Sequence, residues 1–314
     1  MARNKITIIG AGNVGASAAL WLAGMNIGDI VLKDIPQTGN MPAGKALDLL
    51  QAGPIMGYDA RITGTTEYGP TEGSDVIIFT GGFPRKPGMS REDLVAKNEE
   101  VVVSAISEIK QSSPNAIVIM VTNPLDTMAY VAYKTSGFPR NRVLGQAGVL
   151  DSARFRTFIA QELNVSVSSV QAFTIGGHGD EMVPLVRSAN VGGVPLTELL
   201  PKERIDAIVD RTRKGGGEIV HLLGTSAYYA PGAACAMMAE AILKDSQLIV
   251  PAAAYLDGEY GLKDMYFGVM CKLGRNGIEE ILQPELDEEE KAGIDKSVEL
   301  IRGTMGALVQ VKPG

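Results

Sequence analysis

Short runs of apolar, mostly β-branched residues recur through the first half of the chain, at 6–9, 30–35, 61–65, 76–80, 117–121 and 142–144. Most are continuously apolar rather than alternating, which predicts strands covered on both faces. Helical patterns at 14–23, 43–51, 91–111 and 125–136 lie between most of them. This βαβ rhythm predicts an α/β fold with a parallel, doubly wound sheet. The pattern changes from about residue 148. An amphipathic helix carries Phe155, Phe158, Ile159 and Leu163, shorter strands follow near 172–175 and 183–186, and long helices lie at 201–223 and near the end of the sequence. Two domains are therefore expected, 1–146 and 147–314, the second of α+β character.

The 314 residues are 45% apolar and 21% charged, enough to bury a sizeable core. A net charge of −7 disfavours nucleic acid and anionic membrane as partners, and any anion site must be locally basic. Cys235 and Cys271 stand in no metal or redox spacing, so no metal is expected and a reducing, cytoplasmic setting is. No run reaches the ~18–20 apolar residues of a membrane helix. The first residues lead into a strand rather than into the apolar region and cleavage site of a signal peptide.

Gly10-Ala11-Gly12-Asn13-Val14-Gly15 follows the first strand and opens a helix. In that context it is the dinucleotide fingerprint of a Rossmann sheet. Gly10 permits the tight turn, Gly12 lets backbone approach a pyrophosphate, and Gly15 lets helix and strand pack closely. Asp34, at the end of the second strand, is placed to accept ribose hydroxyls and to repel a 2′-phosphate, which favours NAD over NADP. A solvated strand-end aspartate is the plainer alternative. Neighbouring Lys33 is expected on the opposite side of the strand.

Hydride transfer at a carbonyl needs a proton donor, a cation on the carbonyl oxygen and a clamp for the carboxylate. The chain has two histidines. His221 lies inside a helical run, whereas His178 sits in the glycine turn Gly176-Gly177-His178-Gly179-Asp180-Glu181, where ligands have room to approach. Asp151 and Arg154 share one helix face at i, i+3 spacing. The aspartate could orient the imidazole and the arginine could fork a carboxylate, or the two could form an ordinary ion pair on a solvated face. The loop 81–91 holds Arg85, Lys86 and Arg91 among glycines and prolines, which suits either a lid over an anion or a solvated surface loop.

Taken together these residues resemble the lactate/malate dehydrogenase family. The likeness runs over nearly the whole chain, through Ile8-Ile9-Gly10-Ala11-Gly12-Asn13-Val14-Gly15, Pro84-Arg85-Lys86-Pro87-Gly88-Met89-Ser90-Arg91, Thr122-Asn123-Pro124-Leu125-Asp126, Gly145-Gln146-Ala147-Gly148-Val149-Leu150-Asp151-Ser152-Ala153-Arg154 and Gly176-Gly177-His178-Gly179-Asp180-Glu181-Met182-Val183-Pro184. The resemblance implies that His178 is the acid/base and Asp151 its partner, that Arg154 holds the carboxylate beside the reacting carbon, and that Arg91 polarises the carbonyl. It also implies that Asn123 contacts substrate and nicotinamide, and that Asn98, Val121 and Thr122 lie near the cofactor. Arg85 would face the far end of the substrate. An arginine there suits the second carboxylate of malate or oxaloacetate and would be left unpaired by lactate or pyruvate. The implied activity is NAD-dependent oxidation of (S)-malate by a homodimer or homotetramer. A lactate or broader 2-hydroxy acid dehydrogenase and a catalytically silent NAD-binding protein are the alternatives. The stretch 222–229 is one residue shorter than the family pattern, so Thr225 and Ser226 count only as neighbours of the pocket.

Overall fold

The computed structural model describes residues 3–84 and 90–313, with the side chain of Arg91 excepted. The first half runs β1 (Lys5–Ile9), α1 (Asn13–Met25), β2 (Asp29–Lys33), α2 (Met41–Met56), β3 (Ile62–Thr65), β4 (Val76–Phe79), α3 (Arg91–Ser112), β5 (Ile117–Met120), α4 (Leu125–Ser136) and β6 (Val143–Gly145). These six strands are parallel, in the order β6-β5-β4-β1-β2-β3. Every residue of β4 and β5 is buried, as expected for strands covered on both faces. The chain winds outward from β1 through β2 and β3, then returns to the other side of β1 to begin β4. That reversal opens a crevice at the carboxyl ends of β1 and β4, where α/β sheets place their ligands.

The second half contains α5 (Ala147–Leu163), the short strands β7 (Val170–Gln171), β8 (Thr174–Ile175), β9 (Val183–Pro184), β10 (Asn190–Val191) and β11 (Val194–Pro195), and the helices α6 (Leu196–Leu199), α7 (Lys202–Leu223) and α8 (Tyr229–Leu243). It continues through β12 (Leu248–Asp257), β13 (Lys263–Gly274) and β14 (Gly277–Leu282) to α9 (Glu288–Met305). The three long strands were not expected from the pattern. They extend the parallel sheet antiparallel into nine strands among the described residues, joined where Ala253 of β12 pairs with Gly145 of β6. A side chain at Gly145 would place its Cβ 2.8 Å from that of Ala253, so glycine is what lets β12 come alongside. A second core beneath α5, around Phe155, Ile159, Ile205 and Ile208, confirms the amphipathic pattern of that helix. No described helix is long and apolar enough to cross a membrane.

Helix starts follow local chemistry. Ser90 and Asp93 form a reciprocal capping box that begins α3 at Arg91, and Asp287 with Glu290 does the same for α9. One long-range tie was invisible in the pattern. Glu99 on α3 is 1% exposed, and its carboxylate accepts the backbone N–H groups of Val309, Gln310 and Val311 at 2.8–2.9 Å. The C-terminal segment is thereby fastened to α3. Replacing Glu99 by Ala should speed amide exchange at residues 309–311 by about tenfold or more, since charge-assisted bonds of this kind contribute ~1.5–3 kcal/mol. Hydrogen exchange unchanged at those amides would show that the carboxylate does not hold the segment.

Candidate active site

The glycine loop after β1 has the shape its sequence implies. Gly10 has φ +99°, and a Cβ there would stand 2.7 Å from Thr80 Oγ1 and 2.8 Å from the Gly81 nitrogen, so the loops after β1 and β4 touch. A Cβ at Gly15 would meet the Gly10 carbonyl oxygen at 1.9 Å, which enforces glycine where helix and strand pack. Gly12 faces open space, and no side chain caps α1, whose first turn includes Asn13, Val14 and Gly15. An anionic group can therefore approach the free amides. Asp34 accepts the N–H of Ala11 through Oδ2 and of Ile35 through Oδ1, both at 2.7 Å, leaving each oxygen a further lone pair. Lys45 of α2 donates to the Ala11 carbonyl at 2.7 Å, so both backbone groups of Ala11 are gripped. Lys33 is buried with its ammonium 3.8 Å above the Tyr68 ring, and burial lowers its pKa. The loop and carboxylate thus fit an adenine dinucleotide.

Asn98 is fully buried and braces backbone rather than reaching outward. Its Oδ1 accepts the Phe83 N–H at 2.7 Å, and its Nδ2 donates to the Phe83 and Asn123 carbonyls at 3.2 and 2.6 Å. Both N–H donors are used, which limits direct contact with a cofactor to an Oδ1 lone pair. Thr122, also buried, donates to the Gly81 carbonyl at 2.6 Å, and Val121 is half-buried beside it. Asn123 is exposed, and no hydrogen bond engages its side-chain amide among the described residues. Arg85 lies outside the described residues, as does the Arg91 side chain.

His178 and Asp151 meet. The imidazole Nδ1 lies 2.9 Å from Asp151 Oδ2, while Arg154 Nη1 lies 3.0 Å from Asp151 Oδ1. Asp151 is 3% exposed and Arg154 12% in their side chains, so the i, i+3 pair is not on a solvated face. An ionised carboxylate only accepts, so Nδ1 carries a proton and Nε2 is left as the exchanging atom of the neutral ring. Burial works against the imidazolium. The charge and hydrogen bond of Asp151 outweigh it, with Arg154 opposing and Asp126 adding, and the His178 pKa lies above its ordinary value. Arg154 rests against α7, where a Cβ at Gly215 would approach its Cδ to 3.2 Å, and its buried Nε has no partner among the described residues.

The turn that presents His178 is pinned at three successive amides. Gly176 N–H donates to the Gly268 carbonyl of β13 at 2.8 Å, Gly177 N–H to Ser297 Oγ of α9 at 2.7 Å, and His178 N–H to Asp126 Oδ2 of α4 at 3.2 Å. Neither Ser297 nor Asp126 was singled out as a site residue in the sequence, although Asp126 closes the Thr122–Asp126 motif. A cleft of about 280 Å³ opens here, lined among others by Asn123, Asp126, His178, Ser297 and Thr304. Asp151 and Arg154 are not among its lining residues; from α5, Asp151 reaches the imidazole and Arg154 reaches Asp151. His221 is exposed on α7, and Thr225 and Ser226 are exposed just beyond that helix. Burial pushes the Cys235 and Cys271 thiols up to about 12, so neither supplies a thiolate.

Comparison with known proteins places this geometry. Residues 4–145 match the lactate/malate dehydrogenase NAD binding domain, and residues 148–310 match the lactate/malate dehydrogenase alpha/beta C-terminal domain. The chain is 59% identical over 307 residues to a malate dehydrogenase of Roseiflexus sp. (strain RS-1), covering 98% of this chain and 99% of that protein. The malate dehydrogenase structure from Salinibacter ruber superposes with a TM-score of 0.92 at 53% identity, over 96% of this chain and 97% of that one. A Cryptosporidium parvum lactate dehydrogenase complexed with lactic acid and nicotinamide adenine dinucleotide gives 0.93 at 42% identity, over 97% of each chain. With its nucleotide loop, its buried carboxylate between imidazole and guanidinium, and both family domains matched, the chain belongs to the lactate/malate dehydrogenase family.

Proposed function

We propose that the chain catalyses the reversible oxidation of (S)-malate to oxaloacetate with NAD, in the cytoplasm and as a step of the tricarboxylic acid cycle. The observation that carries this reading is the Asp151 carboxylate held between the His178 imidazole and the Arg154 guanidinium. The identity of 56–59% to malate dehydrogenases over nearly the whole chain supports malate over lactate. The division into a nucleotide-binding part, 1–146, and a substrate part, 147–314, belongs to the same reading.

When bound, NAD would supply the hydride acceptor for the hydroxyl-bearing carbon. Gly10, Ala11, Gly12, Asn13, Val14, Gly15 and Asp34 would hold its adenosine diphosphate half, and the 121–123 segment with its Asn98 brace its nicotinamide half. In oxidation the neutral His178 takes the hydroxyl proton at Nε2. Asp151 accepts from Nδ1–H and stabilises the imidazolium that results. Arg154 has a buried Nε without a partner among the described residues, which supports its pairing with the carboxylate next to the reacting carbon. Arg91 would offset charge on the substrate oxygen, and Asn123 would hold that oxygen in place. Arg85 would pair with the second carboxylate. Oxaloacetate reduction uses the imidazolium form, and the raised His178 pKa keeps that form populated to higher pH.

Oxaloacetate should be reduced with far higher kcat/KM than pyruvate, and Arg85→Gln should narrow or reverse that preference. Equal efficiency on pyruvate in the wild-type chain would sink the malate assignment. His178→Asn should retain NADH binding while kcat falls by roughly 100-fold or more. Turnover near the wild-type level would remove His178 from the role of proton carrier. Exposed apolar side chains on α1 and α2 (Trp21, Leu47, Ile55, Met56) support a homodimer or homotetramer. Light scattering should return two or four chain masses, and a monomer at micromolar concentration would overturn that assembly.

A further inference from the structure

Asp126 carries a buried carboxylate that the proton relay leaves unused. It stands in the first turn of α4, 5% exposed. Its Oδ2 accepts the backbone N–H of His178, while its Oδ1 is shielded from water and bonded to nothing among the described residues. The groups around it offer little positive charge. The glycine turn presents His178 with Asp180 and Glu181, α9 presents the hydroxyls of Ser297 and Thr304, and α3 presents Leu94. From α5 the charge of Asp151 is also felt. No described lysine or arginine forms an ion pair with Asp126. The imidazole of His178 is therefore the one described cation whose charge acts on this buried carboxylate.

We propose that Asp126 is a positioning residue for His178 and, after Asp151, the second carboxylate that governs how firmly the imidazole holds its proton. The hydrogen bond and the charge are separate contributions. The first is one of the three amide anchors that orient the turn. The second stabilises the imidazolium whenever Asp126 is ionised. Burial raises the Asp126 carboxyl to about 6, against the hydrogen bond and charge of His178, which lower it. Asp126 is thus negative through the neutral range and loses its charge as the pH falls through about 6. The support it lends the imidazolium is present above that point and lost below it.

The proposal rests on His178 as the proton carrier, but the ring can be titrated without substrate, so failure of one claim is distinguishable from failure of the other. With two histidines in the chain, the ring nitrogens of 15N-labelled protein report His178 against exposed His221. Asp126→Asn keeps an oxygen for the His178 N–H and removes the charge. It should lower the His178 midpoint by about half a pH unit or more and leave His221 in place. The alkaline limb of oxaloacetate reduction should move the same way. Asp126→Ala should add a fall in kcat of about tenfold that the asparagine variant largely restores. Ser297→Ala frees the adjacent Gly177 amide without touching charge and should leave the His178 midpoint unchanged. A wild-type midpoint in Asp126→Asn, or an equal shift in Ser297→Ala, overturns the role of the charge. Wild-type kcat in Asp126→Ala overturns the anchor. Should the alanine variant not fold, the titration of the asparagine variant still decides the role of the charge.

Discussion

An ionised carboxylate buried to the depth of Asp151 is tolerated only when its lone pairs are met by cations and donors held in good geometry. Arg154 takes one oxygen and His178 the other, and that requirement organises the surroundings. The helix bearing Asp151 must lie against the glycine turn bearing His178. The turn must be stiff enough to keep Nδ1 on the carboxylate, which three successive amide anchors from β13, α9 and α4 provide. The guanidinium must be seated as well, and the close glycine surface of α7 gives it room.

The same arrangement ties the two halves of the chain together. Close approaches between backbones are licensed by glycines at defined places. Gly10 meets the start of the loop after β4, Gly145 admits β12 beside β6, and Gly268 packs on the carbonyl of Gly176 behind the histidine turn. Asn98 then braces Phe83 and Asn123 with one side chain, so the backbone just after β4 is tied to that just after β5. The neighbouring Glu99 fastens the C-terminal segment to that same helix. The crevice at the carboxyl ends of β1 and β4 and the His178–Asp151–Arg154 cluster therefore share a continuous scaffold.

Much of this was legible in the chain because it is written in consecutive residues. Helix α4 has the limits its pattern predicts, with Pro124 before it and a left-handed Gly137 after it. The glycine fingerprint acts through local turn geometry, and Asp34 and His178 stand where local signals place them. Strands β12, β13 and β14 leave no such local signature. The strand β12 contains Pro251 and three consecutive alanines, a weak strand signal, and its place in the sheet depends on partners far away in sequence.

The sequence by itself determined the parallel half of the sheet, the glycine loop after β1 and the residue types that meet around Asp151, since each depends on spacing within a few residues. Tertiary structure alone decided which charges are buried together. Asp151 and Arg154 have the spacing of any solvated helical pair, and only the approach of His178, 27 residues away, with α7 over the guanidinium, makes that pair the centre of a site. Asp126 and Ser297 became part of it for the same reason, reaching the histidine turn across 52 and 120 residues of chain. Desolvation and the hydrogen bonds that compensate it arise between distant segments, and no local pattern records them.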